Sequence, residues 1–180
     1  MTHEMIFAGF GGQGVMLMGQ ILAYAGMLED KHVSWLPSYG PEMRGGTANC
    51  TVVVAEQHVG SPVVTRPNLV VAMNLPSLDK FEVSIKPGGL LIYNSSLISR
   101  QPGRNDIEVL AVPANEIANE LGNDRVSNMV VLGALLGKRP MVKMESIHAA
   151  LRHILPPHRH HLLSLNERAL ASGQALGNSN

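Results

Sequence analysis

Apolar residues follow two rhythms along this chain. Through the first two thirds they form short continuous runs of strand length between turns bearing proline and glycine; in the last third they recur at helical spacing. Met5-Ile6-Phe7-Ala8 predicts a strand, and the proline-free apolar segment 15–28 predicts a helix. Residues 32–36 predict a second strand, stopped by Pro37, and an irregular loop then runs to about residue 46. The run 48–55 predicts a third strand, followed by a turn at 56–61 and a short edge strand at 62–65. Residues 68–73, 90–93 and 107–112 are continuous apolar runs, which suit strands of a parallel sheet buried on both faces. Pro76 and Ser77 open a helix predicted through residue 85, ended by Lys86-Pro87-Gly88-Gly89. Further helices are predicted over 115–121, 126–138, 144–155 and 161–176, with 177–180 as a frayed tail. The helix over 126–138 is small-residue-rich and strongly apolar, which suits a buried helix or one at a subunit interface.

Strands that alternate with helices imply the α/β class: a three-layer domain with a mainly parallel sheet and right-handed crossovers. The stretch 39–65 interrupts the alternation and predicts an inserted hairpin, and the C-terminal third is helical. With 180 residues and no linker or internal repeat, a single domain over 1–180 is expected.

Composition narrows the partners. Apolar residues make up 45% and charged residues 16% of the chain, so some uncharged faces are expected to be covered by other chains. The formal net charge is zero and Lys and Arg form no runs, so nothing favours nucleic acid or an anionic membrane surface. The first residues show no secretory signal pattern, and no apolar run approaches the roughly 18 residues of a membrane span, so a cytoplasmic location is expected. The single cysteine, Cys50, reads as a strand residue; it excludes an internal disulfide and any cluster held by four cysteines of this chain.

The candidate chemistry lies in two glycine-bearing loops. Gly9, Gly11 and Gly14 match the G-x-G-x-x-G spacing between a strand and a helix, the Rossmann-like turn that brings a ligand close to backbone N–H groups at a helix start. Such turns also occur for packing alone. A nicotinamide site further needs an acidic residue at the end of the second strand. Here stand Leu36, Pro37, Ser38 and Tyr39, with Glu29 and Asp30 before the strand, which counts against an NAD dehydrogenase. In the second loop, Tyr39 to Gly46, Arg44 offers a planar five-donor fork for a carboxylate or phosphate, or a partner for Glu42. His148, His153, His158, His160 and His161 crowd the C-terminal part without a carboxylate at metal-site spacing, so a solvated helix and loop is expected. No nucleophile elbow, Walker loop or Cys-His pair appears.

The segments Phe7-Ala-Gly-Phe-Gly-Gly-Gln-Gly14, Pro37-Ser-Tyr-Gly-Pro-Glu-Met-Arg-Gly-Gly46 with Thr47-Ala-Asn49, and Ser127-Asn-Met-Val-Val-Leu-Gly-Ala134 together resemble the gamma subunit of 2-oxoacid:ferredoxin oxidoreductases, over roughly residues 4–170. The resemblance implies a complex that decarboxylates a 2-oxoacid on thiamine diphosphate with magnesium. It passes electrons through iron–sulfur clusters to ferredoxin and delivers the acyl group to coenzyme A. It also implies alpha, beta and delta-type partner subunits that carry thiamine and the clusters, with no cofactor held by this chain alone. Carried over, Gly11, Gly12, Gln13 and Gly14 would line the crevice, while Tyr39, Glu42, Arg44 and Gly45 would face partner subunits or ligand. Chains of this length look most like those of 2-oxoglutarate enzymes, while branched-chain 2-oxoacid and indolepyruvate enzymes have similar subunits. An isolated chain with uncovered apolar faces is expected to pair with itself as a homodimer. The alternative is a stand-alone Rossmann-like nucleotide-binding or regulatory protein.

Overall fold

The computed structural model describes residues 1–38 and 47–179, which contain six strands and six α-helices. In chain order these are β1 (Thr2–Phe10), α1 (Val15–Leu28), β2 (His32–Ser38), β3 (Thr47–Ala55), β4 (Leu69–Ala72), α2 (Leu75–Phe81), β5 (Leu90–Asn94), β6 (Glu108–Val112), α3 (Ala114–Glu120), α4 (Ser127–Lys138), α5 (Met144–Ile154) and α6 (Leu163–Ser179). The strands form one sheet in the order β2-β3-β1-β4-β5-β6. β1, β4, β5 and β6 run parallel, and β3 lies antiparallel to both β1 and β2. The continuous apolar runs at 69–72 and 90–94 are buried at every position, as strands covered on both faces must be.

One face of the sheet carries most of the helices. Met5, Phe7, Cys50, Val52, Val54 and Val71 point to it and pack under α1 and α4, with α5 against α1 and α6 over α4. Close approach of α1 is decided by its glycines: a Cβ on Gly19 would stand 2.6 Å from Cys50 Sγ, and one on Gly26 2.7 Å from Val33 Cγ1. On its outer side α1 meets α5 through Tyr24, whose ring stacks on His153 at 4.5 Å and 11°. The other face is covered more thinly. Leu78 of α2, Ile85 and Ile98 close over Ile6, Ala8, Val70, Leu91 and Tyr93, while Val59 and Val64 close over Val53 and Ala55.

The inserted hairpin is β2–β3, not a pairing further along the chain. The edge strand expected at 62–65 does not form: that segment is an irregular cover fixed by Thr51 Oγ1, which donates to the Pro62 carbonyl at 3.3 Å. Pro62 and Pro67 have no N–H to give a sheet ladder. The helix predicted to residue 85 ends at Phe81 and tightens into a 3₁₀ turn over Glu82–Ser84. The expected fraying of 177–179 is also overturned. α6 runs to Ser179 because Gly177 packs directly on α4: its added Cβ would overlap the Ala134 carbonyl oxygen. Asn180 lies outside the described residues.

Candidate functional site at the glycine turn

The chain leaves β1 through α1 for one half of the sheet and returns to the other half at β4, so β1 and β4 flank the switch of direction. Open α/β sheets bind ligands outside the strand ends at that point. The glycine turn sits there. Gly12 (φ 89°) and Gly14 (φ 75°) adopt the left-handed conformation, which only glycine enters without a Cβ penalty. Gly14 is the N-cap of α1 and brings no side chain to its first turn, so the N–H groups of that turn have no side-chain cap. Beside the turn lies a depression of about 270 Å3 lined by Phe10, Gly11, Gly12, Met16, Leu17 and Ala48. Gly11 and Gly12 are exposed at its rim.

Gln13 has a different place from its neighbours. Its Oε1 accepts from the Phe10 N–H at 2.6 Å and its Nε2 donates to the Met73 carbonyl at 3.3 Å, so the side chain ties the end of β1 to the end of β4. Gly9 permits this, because a Cβ there would stand 2.6 Å from Gln13 Oε1 and 2.9 Å from Met73 Cβ. Gln13 therefore shapes the turn with its side chain turned inward. Asn128, at the start of α4, was not singled out from the sequence as a site residue. Its Nδ2 lies 3.4 Å from the Gly14 carbonyl, its Oδ1 accepts from the Met129 N–H at 2.9 Å, and a Cβ on Gly14 would overlap the amide. The only signal for it was its position in the Ser127-Asn-Met segment, since a contact spanning 114 residues has no local signature. Asn74, the N-cap of α2, is buried at the end of β4; its Oδ1 accepts from the Ser77 N–H at 2.9 Å, while its Nδ2 and the Ser77 Oγ are buried without partners.

Tyr39, Glu42, Arg44 and Gly45 lie outside the described residues. The two ends of their loop are placed, however: Ser38 pairs with Asn49, and Thr47 pairs with Phe10. Ser38 and Thr47, the described residues on either side of 39–46, thus lie at the same end of the sheet as the glycine turn. Phe10, which ends β1, and Leu75 and Leu97, which follow β4 and β5 at that end, are 43%, 40% and 50% exposed.

Cys50 is fully buried beneath α1, where its Sγ–H lies 3.5 Å from the Val15 carbonyl. Burial pushes the thiol up to about 12, with the Trp35 indole opposing. Such a thiol is neither a nucleophile nor a cluster ligand in the folded chain. The native protein is expected to leave Cys50 unalkylated by iodoacetamide at pH 8 over a period in which the urea-unfolded chain reacts completely. A group whose protonated form is favoured by folding contributes stability that is full below its unfolded pKa, near 9, and declines as pH rises towards 12. Chemical denaturation between pH 9 and 10.5 should therefore show a slope up to about 1.4 kcal/mol per pH unit steeper than in Cys50→Ala.

The C-terminal histidines make local contacts. His153 stacks on Tyr24, the His160 ring meets the Leu155 carbonyl at 2.9 Å, and His161 meets the His158 carbonyl at 3.1 Å. Among the described residues no group of three or more His, Cys, Asp or Glu is placed to hold a metal ion, and no helix is long and apolar enough to cross a membrane.

The fold and the turn define an open, mostly parallel α/β domain with a glycine-built turn and a depression beside it at its switch point. Comparison with known proteins agrees along nearly the whole chain. The family model for pyruvate ferredoxin/flavodoxin oxidoreductase matches residues 4–176. The ketoisovalerate oxidoreductase subunit VorA of Methanothermobacter thermautotrophicus is 47% identical over 129 residues, 72% of this chain and 27% of its own length. The chain therefore spans about a quarter of that relative. The 2-oxoglutarate synthase subunit KorC of Methanocaldococcus jannaschii is 35% identical over 159 residues, covering 87% of this chain and 85% of its own. The crystal structure of the gamma subunit of a keto/oxoacid ferredoxin oxidoreductase from Geobacter sulfurreducens superposes with a TM-score of 0.86 at 28% identity, covering 99% of both chains. The chain belongs to the pyruvate ferredoxin/flavodoxin oxidoreductase family, and within it to the gamma-subunit kind.

Proposed function

We propose that this chain is the gamma component of a cytoplasmic 2-oxoacid:ferredoxin oxidoreductase complex, docking on alpha, beta and delta-type subunits and shaping the crevice where coenzyme A approaches the active centre. The observation that carries this reading is the grouping at one end of the sheet. The uncapped start of α1, the base of the 39–46 loop and three exposed large apolar side chains stand together there. Exposed apolar groups beside an anion-binding turn suit a partner interface next to an anionic ligand.

The residues present fit the groups of the complex unequally. Iron–sulfur clusters do not fit the described part of this chain, since its one cysteine is a buried neutral thiol under a helix. They are assigned to the partners, as is the electron path to ferredoxin. A phosphate of coenzyme A does fit the turn: Gly11 and Gly12 leave the backbone exposed, and Arg44 would add a charged fork. When bound, coenzyme A supplies the thiol that takes the acyl group. Gln13, Asn128 and Asn74 would act at one remove by holding the turn and the start of α2 in place. Among 2-oxoacids this reading takes 2-oxoglutarate first, because relatives named for it are 33–35% identical over most of both chains, against 29% for pyruvate/ketoisovalerate gamma subunits of similar coverage. The ketoisovalerate relatives make a branched-chain 2-oxoacid the second arm of the test.

The tagged chain, pulled down from its native anaerobic extract, is expected to bring thiamine-binding and cluster-binding chains with it. The eluate should also reduce viologen with a 2-oxoacid only when coenzyme A is present. Recovery of the chain alone and inactive would overturn the reading, and would move a stand-alone nucleotide-binding role, or a homodimer, to the front. In the reconstituted complex Arg44→Ala is expected to lower coenzyme A-dependent activity about tenfold or more with an unchanged unfolding midpoint, since a charge-assisted fork contributes roughly 1.5–3 kcal/mol. Full activity of Arg44→Ala would remove Arg44 from the site.

A further inference from the structure

The end of the sheet opposite the glycine turn carries a second depression, of about 370 Å3, between the starts of β1, β4 and β5. Leu69, Pro87 and Leu90 give it apolar lining, and Met1 with its amino group, His3, Lys86 and Arg139 bring its charged and titratable groups; no carboxylate is among its described lining residues. The nearby acids hold those cations from outside the lining. Glu4 pairs with Lys86, and Glu108 pairs with Arg139, with Lys138 at 3.4 Å. Arg139 Nη1 also donates to the Lys138 carbonyl at 3.1 Å, so the guanidinium is held in one orientation. Both cations keep donors beyond these contacts, because an ammonium carries three N–H groups and a guanidinium five.

The surroundings of His3 show the sign of the field. Its imidazole is held below the usual histidine range first by burial, then by the positive charges of the Met1 amino group, Lys31 and Arg139, with Glu56 opposing. The depression is positive, apolar in part of its lining, and at the small end of the roughly 300–1,000 Å3 range of small-molecule sites.

We propose that this depression is a binding site for a small organic anion, its carboxylate or phosphate head held between Lys86 and Arg139 and its aliphatic body lying on Leu69, Pro87 and Leu90. It lies at the far end of β1 from the glycine turn and is separate from the coenzyme A crevice. Lys86 and Arg139 are partly exposed in their ion pairs, with 43% and 32% of their side chains accessible, so neither is needed to fill the core.

The test is a titration of the isotope-labelled full chain at pH 7 with butyrate and, separately, with inorganic phosphate, each against chloride at equal ionic strength. Amide shifts of Gly88, Gly89 and Leu90 and the His3 ring signals are followed. At least one anion is expected to give a saturating shift there with a Kd of about 1 mM or tighter, as a few well-placed heavy atoms allow. The amides of Gly11 and Gly12 should stay still and chloride should give no comparable change. Which anion saturates identifies the head group. Bound anion should raise the His3 pKa, and Lys86→Met and Arg139→Gln should each weaken binding about tenfold. Shifts that never saturate, that chloride reproduces, or that centre on residues 11–14 would overturn the proposal. The comparison of anions on the unaltered chain decides this even where a variant loses its fold.

Discussion

Alanine at position 173 is expected to lower the unfolding free energy by about 2–4 kcal/mol, and the midpoint by roughly 6–12 °C. The expectation runs against helix propensity, which favours alanine over glycine in a helix interior by up to about 1 kcal/mol. Packing decides the sign. α4 and α6 run in the same direction and meet through two glycine pairs four residues apart, Gly133 with Gly137 and Gly173 with Gly177. A Cβ built on any of the four overlaps a backbone carbonyl oxygen of the other helix: Val130 for Gly173, Leu170 for Gly133, Ala134 for Gly177 and Gln174 for Gly137. Backbones approach this closely only where there is no side chain between them, with Cα–H groups set against carbonyls. A backbone oxygen cannot turn aside as a side chain does, so the whole helix must move. α4 is buried from Asn128 to Leu136, so it has no free side to move towards. Gly60→Ala is the control, since nothing lies within 4 Å of its added Cβ; its midpoint should stay within about 2 °C of the parent. A thermal scan in which Gly173→Ala matches Gly60→Ala would show that the helices separate freely.

Gly14→Ala is expected to cost about 2–3 kcal/mol, against about 1 kcal/mol for Gly12→Ala, although both glycines share a left-handed backbone. Conformation alone penalises the two equally. The difference is space: nothing lies within 4 Å of a Cβ on Gly12, whereas one on Gly14 meets the Asn128 amide. Asn128 is held by the Met129 N–H and by Gly14 itself, so the new methyl breaks an arrangement that joins the glycine turn to α4. Gly14→Ala combined with Asn128→Ala should therefore be less destabilised than the sum of the two by about 1 kcal/mol, the sign of coupling expected where one change relieves the clash of the other. Urea denaturation of the four species measures that difference. Strict additivity would place the cost of Gly14→Ala in the backbone alone and leave Asn128 without a role at the turn.

Much of this architecture is written in local pattern. The strands at 69–72 and 90–94 are continuous apolar runs because both of their faces are covered, and the turn at Gly9–Gly14 announces itself because left-handed residues and a close approach both require glycine. The same logic assigned Cys50 to a strand interior. The family followed from motifs in which these local demands coincide with a second glycine loop.

What failed locally failed for one reason. The segment 62–65 has strand-like residues, but Pro62 within it and Pro67 just beyond withhold N–H groups that a ladder needs, and only the presence of Val53 and Ala55 beneath it determines that it becomes a cover. The tail at 177–179 looks polar and small, and it is helical because α4 lies against it. The small-residue surface of α4 fitted both a subunit interface and a buried helix; its glycines are covered by α6 of the same chain.

The sequence by itself thus determined most of the element types, the mostly parallel α/β class, the glycine turn and the family, because each rests on neighbours within a few residues or on motifs read as units. The tertiary structure decided that Gln13 turns inward to Met73, that Asn128 closes over Gly14 across 114 residues, and that two glycine pairs join α4 to α6. These are long-range contacts between groups that carry no local mark of their partner, so their identity exists only once the sheet order has brought the strand ends and helices together.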